Sequence, residues 1–163
     1  MSIFSYVGKI VFPFILLVIY YELLMFKIST KGDYGLLLLS GIAEQQRAGK
    51  RFVSLKEIAA KKHLSLPYLS QIITPLKEAG LVSSKEGRDG GYALTRAPRD
   101  ISMMEILEVL EGPVSPVRCC GNEKGKCGSE AYCNVKSTWQ DANRMLSNFL
   151  RTKTLEDALA KNF

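Results

Sequence analysis

Residues 54–94, SLKEIAAKKHLSLPYLSQIITPLKEAGLVSSKEGRDGGYAL, are the stretch that decides the fold. Its first half predicts two short helices joined by a tight turn at 63–65, and Ser54 and Glu57 have the spacing of a capping box at the first helix start. The second helix carries four apolar residues at positions i, i+3, i+4 and i+7, which form one core-facing row: Leu69, Ile72, Ile73 and Leu76. Because the outward side of its N-terminal half is polar, the pair predicts a helix-turn-helix.

The second half of this stretch predicts a β-hairpin. Strand-like runs at 81–85 and 92–94 flank a glycine-rich tip, and Lys85 and Arg88 lie at that tip. Glycine lets a backbone approach a phosphate chain or a minor groove closely. An ordinary hairpin with solvated charges would show the same pattern, but the position after a helix-turn-helix favours a DNA-contacting wing.

Composition supports a nucleic-acid partner. The 163 residues contain 22 Lys and Arg against 16 Asp and Glu, a net charge of +6. Residues 51–99 hold nine of the basic and four of the acidic residues, so most of the excess lies on the predicted DNA-binding region. A hydrophobic content of 47% excludes a disordered chain. The single histidine, His63, excludes a multi-histidine metal site, and no nucleophile–base pair is evident, so an enzyme is not predicted.

Residues 1–26 differ from the rest, because they are apolar and hold only Lys9 and Glu22 as charges. The apolar run at 10–26 is at the short end of the roughly 17–25 residues that span a bilayer. This run has three interpretations: a single membrane anchor, an apolar helix that packs on a partner, or an upstream stretch translated in error. We favour the last interpretation, with Met25 as the native start, because Met25 stands directly before a self-contained domain.

The remaining chain divides into a winged helix-turn-helix domain at 27–100, which opens with a long helix near 30–49, and a C-terminal part at 101–163. The sequence predicts a helix at 102–111 in which four residues face inward: Met103, Ile106, Leu107 and Leu110. Farther on, apolar residues alternate four and three apart and form what we call the C-terminal stripe: Val135, Trp139, Ala142, Leu146 and Phe149. This spacing is typical of a coiled-coil partner face and predicts a long dimerisation helix, although packing against the chain's own core would give the same pattern. The predicted fold is therefore mainly α with one small hairpin.

Four cysteines, Cys119, Cys120, Cys127 and Cys133, fall within 15 residues. The surrounding stretch, residues 118–133, is rich in glycine and charge, predicts a loop and is called the cysteine segment below. Disulfides are disfavoured in a reducing cytosol. An iron–sulfur cluster and a zinc ion each need four ligands, and the vicinal pair does not readily supply two. By spacing alone, a cluster, zinc and redox-active free thiols remain nearly equal alternatives.

Several motifs resemble one family. KISTKGDYGLLLLSGIA (27–43), VSLKEIAAKKHLSLPYLSQII (53–73), LKEAGLVSSKEGRDGGYALTR (76–96) and CNVKSTW (133–139) are similar to the Rrf2 family of bacterial winged-helix regulators. The resemblance covers 27 to about 160. It implies a cytoplasmic, homodimeric transcription factor that binds a pseudo-palindromic double-stranded DNA operator. It also implies a 2Fe-2S or 4Fe-4S cluster that reports iron, oxygen or nitric oxide. Family members begin close to Lys27, in agreement with a start at Met25.

The resemblance also implies cluster ligands. Cys127, Cys133 and one of Cys119 or Cys120 correspond to the cysteine ligands, and we favour Cys119 because an arginine precedes it. Some members have a histidine three residues after the last cysteine, where this chain has Lys136. Others take an aspartate from the first helix of the partner subunit, and the matching residue is Asp33. Asp33 of the other subunit is therefore the hypothetical fourth ligand, with a solvated surface aspartate as the equal alternative.

For DNA, the resemblance and the helical pattern indicate the same residues: Tyr68, Ser70 and Gln71 in the third helix, with Lys85 and Arg88 in the wing. Glutamine can pair bidentately with adenine, whereas wing cations bind phosphates without reading sequence. Two rival classes remain. One is a DNA-binding regulator with zinc or redox-active thiols and no cluster. The other, which ranks well behind both kinds of regulator, is an iron–sulfur electron carrier anchored in a membrane by residues 10–26.

Overall fold

The computed structural model describes residues 28–87, 89–117 and 132–160. Within these ranges the chain is mainly α with one small hairpin, which confirms the predicted fold class. The elements in chain order are α1 (Thr30–Arg47), α2 (Leu55–Lys62), α3 (Leu66–Glu78), β1 (Val82–Lys85), β2 (Gly91–Leu94), a 3-10 turn (Pro98–Asp100), α4 (Met103–Glu111), α5 (Lys136–Thr152) and α6 (Leu155–Leu159). The apolar run at 10–26 lies outside the described residues. None of the helices within them is long and apolar enough to cross a membrane.

Serine and threonine side chains set where several helices begin. Ser54 Oγ accepts a hydrogen bond from the Glu57 N–H at 3.2 Å, and Ser102 Oγ does the same for Glu105 at 3.1 Å. These bonds satisfy backbone donors that a helix start leaves unpaired. Only half of the capping box predicted for α2 forms, because the Glu57 carboxylate pairs with Lys50 instead of returning to the cap.

His63 closes α2 with a left-handed backbone, φ 55° and ψ 42°. The Leu64 N–H then donates to the Ala59 carbonyl at 2.9 Å, and α3 starts two residues later. Left-handed conformations are uncommon for residues other than glycine and usually mark a turn. The only histidine of the sequence thus serves the turn of the helix-turn-helix.

A third stretch of backbone pairs with one of the two strands of the hairpin. β1 and β2 pair in antiparallel register from Val82 opposite Leu94 to Lys85 opposite Gly91. In addition, the backbones of Val53 and Tyr92 exchange two hydrogen bonds of 2.9 and 2.8 Å. Val53 therefore adds one bridged residue at the outer edge of β2 and brings the end of segment 51–53 to the wing.

One hydrophobic core joins the DNA-binding region to the C-terminal part. Its fully buried members come from helices α1, α2 and α3, from Val53 and the start of the hairpin, and from residues beyond 100: Leu38, Leu39, Ile42, Val53, Ile58, Leu69, Ile72, Leu76, Leu81, Ile101, Ile106 and Leu155. The boundary placed at residue 100 does not coincide with a break in this core. Within α4, Met104 is buried and Met103 is only partly covered, so the predicted inward position was one residue too early.

Helix α5 has a single buried residue, Leu150, which packs on Met104 and Leu107 of α4. Much of its remaining apolar surface is open to solvent: Val135, just before the helix, is 54% exposed and Phe149 is 57% exposed. Packing on the chain's own core thus accounts for Leu150 and, in part, for Leu146 of the C-terminal stripe. The stripe residues Val135, Trp139 and Phe149 stay exposed.

Candidate nucleic-acid interface and metal centre

The recognition surface is the N-terminal half of α3. Its buried row anchors the helix: Leu69, Ile72, Ile73 and Leu76. Ser70 and Gln71 are exposed between these anchors. Tyr68 is half-buried, because its ring packs edge-on against Tyr34 of α1, with ring centroids 5.5 Å apart. Of the three predicted DNA-contacting residues on this helix, Tyr68 therefore has a packing role as well.

The two exposed side chains, Ser70 and Gln71, differ in their hydrogen bonds. Ser70 Oγ donates to the Leu66 carbonyl at 3.0 Å, so its proton is already used within the helix. Thr74 Oγ1 makes the same kind of bond to the Ser70 carbonyl at 3.2 Å. The Gln71 amide has no such bond to any described residue, which leaves both its donor and its acceptor for a base edge. Gln71 is thus the strongest base-reading candidate on α3.

The wing presents Lys85 at the end of β1, where it is exposed. Its Nζ lies 5.8 Å from the centroid of the Phe52 ring, and the Arg51 guanidinium carbon lies at the same distance from that ring. Arg88 falls outside the described residues, so its predicted wing contact stays a prediction. Sequence reasoning missed Arg51 and Phe52, since only the bridge between 53 and 92 brings them to the wing.

Ion pairs divide the cations into two groups. One group pairs with nearby carboxylates, mostly along α1, α2 and α4: Arg47, Lys50, Lys61, Lys62 and Arg96. Six cations make no ion pair with any described residue. Four of them lie on or beside the helix-turn-helix and the wing, namely Arg51, Lys56, Lys77 and Lys85, and the other two are Lys31 and Lys153. The ion pairs of the first group lie at the surface, where each contributes only about 0–1 kcal/mol to the free energy of unfolding, but they neutralise the positive charge locally. The uncompensated positive charge is therefore concentrated where DNA is expected.

The candidate metal centre is described only in part. Cys133 is half-buried in the turn before α5, and its carbonyl lies 3.5 Å from the backbone nitrogen of Lys136. Cys119, Cys120 and Cys127 lie outside the described residues. No group of three or more His, Cys, Asp or Glu residues gathers within the ranges that the structure covers. The predicted ligand set therefore remains a prediction, with Cys133 as its one placed cysteine.

Asp33 is exposed in the first turn of α1. Its carboxylate makes no hydrogen bond or ion pair with any described residue, so it is free to bind a group outside the chain's own fold. The turn that carries it is held in place: Ser29 Oγ donates to Glu111 Oε1 at 2.5 Å, and Lys31 Nζ donates to the Leu110 carbonyl at 2.8 Å. These two contacts fix the start of α1 against the end of α4, the point from which the chain leads into the cysteine segment.

A helix-turn-helix with an exposed glutamine, a cation-bearing hairpin and unpaired positive charge around both define a DNA-binding protein of the winged-helix class. Residues 28–161 match the family model of Rrf2, described as an iron-dependent transcriptional regulator. The chain belongs to the Rrf2 family.

Relatives and solved structures agree with this assignment. The chain is 35% identical over 134 residues to the transcriptional regulator IscR of Cereibacter sphaeroides, covering 82% of this chain and 86% of that protein. It is 39% identical over 131 residues to the regulator CymR of Bacillus subtilis, covering 80% and 88%. The solved structure of CymR, described as the global cysteine regulator of B. subtilis, superposes with a TM-score of 0.68 at 36% identity, covering 84% of this chain and 98% of that one. The protein is thus a DNA-binding transcriptional regulator and not an enzyme, as predicted.

Proposed function

We propose that this regulator binds a pseudo-palindromic operator as a cytoplasmic homodimer and adjusts that binding through an iron–sulfur cluster on the cysteine segment. The observation that carries the proposal is the grouping of four cysteines between α4 and α5, the two helices that join the DNA-binding core to the exposed stripe. In this scheme residues 27–100 read DNA, and residues 101–163 sense and dimerise.

The dimer rests on the C-terminal stripe. Apolar surface that stays open along one helix is covered in most stable proteins by a partner, because its burial contributes roughly 25 cal/mol per Å². A second copy of the same helix is the simplest partner, since a two-fold dimer places identical stripes face to face. Such a dimer also presents two copies of α3 to the two halves of a pseudo-palindrome.

The cluster rests on the donor set. Thiolates are the usual ligands of iron–sulfur clusters, and the cysteine segment offers Cys127, Cys133 and one of the vicinal pair Cys119 and Cys120. A fourth ligand must come from elsewhere, and the free carboxylate of Asp33 is suited to bind from the partner subunit. When bound, the cluster supplies a centre that responds to iron supply, oxygen or nitric oxide.

Replacing Asp33 by alanine should weaken retention of the cluster by more than the roughly 10–100-fold that loss of an outer-shell partner causes, because a direct ligand is removed. Visible absorption and electron paramagnetic resonance of anaerobically purified protein measure the change. Asp100→Ala removes another exposed aspartate and should leave the spectra as they are. Unchanged spectra in the Asp33 variant would take Asp33 out of the site.

A second candidate function is a DNA-binding regulator that uses zinc or redox-active thiols without a cluster. It is favoured by the similarity to CymR, which is as strong as that to IscR. Iron, zinc and acid-labile sulfide analysis of anaerobically purified protein separates the alternatives. Iron with sulfide supports the cluster, zinc alone supports a zinc site, and neither supports thiol sensing.

Communication between the two parts would pass through α4. This helix packs on the DNA-binding core through Ile106 and Leu110, and it contacts α5 through Met104 and Leu107. A change in the cysteine segment, which connects α4 to α5, can therefore alter how α5 sits on α4 and how the two recognition helices are spaced. A difference of a few kcal/mol between two such arrangements is enough to switch operator occupancy. Equal operator affinity of cluster-loaded and cluster-free protein would contradict this scheme.

Gln71→Ala should lower affinity for an operator selected with the wild-type protein by at least about 30-fold, because the dimer loses two bidentate contacts to adenine of about 1–3 kcal/mol each. This decrease should vanish on an operator in which the contacted adenine is replaced. Thr74→Ala is the matched control, since Thr74 lies one turn farther along α3 and its hydroxyl is bonded to Ser70. Equal affinities of the Gln71 and Thr74 variants would exclude Gln71 as the base-reading residue.

A further inference from the structure

We propose that Arg51 is a further phosphate-binding residue of this regulator and that the Phe52 ring positions both Arg51 and Lys85 for that contact. The inference rests on the proposed operator binding and extends it to a segment outside the helix-turn-helix and the hairpin. The ligand is the DNA phosphate backbone, recognised through its charge and independently of base sequence.

The backbone first places this segment at the wing. Val53 is paired with Tyr92 by two hydrogen bonds, and Arg51 and Phe52 precede this bridge by only one or two residues. Gly91, with φ 142°, allows the close approach, since a Cβ atom there would lie 2.5 Å from the Val53 carbonyl oxygen. A side chain at position 91 would therefore separate the segment from the hairpin.

The side chains then gather two cations at one ring. The Arg51 guanidinium carbon and Lys85 Nζ each lie 5.8 Å from the Phe52 centroid, within the range of a cation–π contact. No described carboxylate makes an ion pair with either cation. Both charges are therefore available to phosphate groups of the DNA backbone.

Lys50, the residue before Arg51, differs from it in how its charge is compensated. Lys50 is paired with Glu57, so its charge is satisfied within the fold. Arg51, one residue later, is exposed and makes no ion pair with any described residue. Its guanidinium carries donors in a planar fork that matches phosphate oxygens, whereas Lys85 contributes a point charge.

The experiment measures the salt dependence of binding to a mixed-sequence duplex of about 30 base pairs, which tests phosphate binding without a known operator. The slope of log K against log salt should fall by about 0.9 for each phosphate that the protein no longer neutralises, hence by about 1.8 in a dimer of the Arg51→Ala variant. Arg51→Lys retains the charge and should keep the wild-type slope. Arg99→Ala, an equally charged change at an exposed site beside α6, should also keep it.

Phe52→Leu separates positioning from contact. Without the ring both cations can still reach phosphate but are less ordered, so affinity should fall by about two- to fivefold while the slope stays at the wild-type value. Thermal melting of every variant verifies the fold. If the wild-type protein binds the duplex and Arg51→Ala keeps its slope, the role of Arg51 alone is refuted. If the wild-type protein binds no duplex even at low salt, the phosphate contact of Arg51 is refuted, whereas the proposed operator binding is decided separately on the selected operator.

Discussion

Replacing Trp139 by glutamate should turn the dimer into a monomer and reduce operator affinity by at least about 100-fold. Trp139 is 40% exposed near the start of α5 and lies on the C-terminal stripe, between Val135 and Ala142. In the proposed dimer it faces the partner helix, where an unpaired carboxylate would be buried at a cost of several kcal/mol. A monomer carries one recognition helix and cannot bind the second half-site, so it lacks the affinity that two linked sites provide.

Analytical ultracentrifugation gives the oligomeric state, and titration of a selected operator gives the affinity. Asn148→Glu is the matched control, because Asn148 is exposed on α5 but points roughly 140° away from the stripe at 100° per residue. That variant should remain dimeric and bind normally. A Trp139→Glu protein that sediments as a dimer would show that the stripe is not the interface.

Cys133→Ala should abolish the iron–sulfur cluster, so that iron and acid-labile sulfide fall to background in anaerobically purified protein. Cys133 is the one cysteine placed by the structure, half-buried directly before α5. If Cys127 and one of the vicinal pair are ligands, the only thiol left is the other member of that pair, and adjacent residues do not readily supply two ligands. Full retention of iron in this variant would contradict the proposed ligand set.

The vicinal pair provides an internal control for the same experiment. Cys119→Ala and Cys120→Ala remove the same atoms at adjacent positions, and only one of them should abolish the cluster. We expect this effect at Cys119. Absence of the cluster from both variants, or its presence in both, would mean that the pair does not contribute one ligand in the proposed way.

Local patterns predicted the elements of the DNA-binding region, because its helices and hairpin follow short-range rules. The core row of α3 and the cap at Ser54 are examples in which periodicity and a serine hydroxyl decide the outcome. The carboxylate of Glu57 departed from the prediction because a lysine close in space competed for it, and spacing along the chain does not report that competition.

Contacts between residues far apart along the chain could not be predicted from the sequence. Tyr68 packs on Tyr34 across two helices, and Arg51 reaches the wing only through the bridge of Val53 to Tyr92. Both depend on tertiary packing, which has no short-range pattern. The cysteine ligands are the opposite case: their chemistry is evident from residue type, but which four atoms meet depends on a fold and a partner that spacing does not define.

The position of the apolar contacts of α5 has a mechanical consequence. Leu146 and Leu150 pack this helix on the body near its C-terminal end, while Cys133 precedes its first turn, about 20 Å from Leu150 at 1.5 Å per residue. In the proposed scheme α5 acts as a lever whose pivot is at these two leucines and whose far end leads to the cysteines. A tilt of only about 5° would carry that end through roughly 2 Å, and the apolar stripe along the arm would move with it. In the proposed dimer, a small rearrangement of ligands at the tip would thus change the angle at which the two subunits meet.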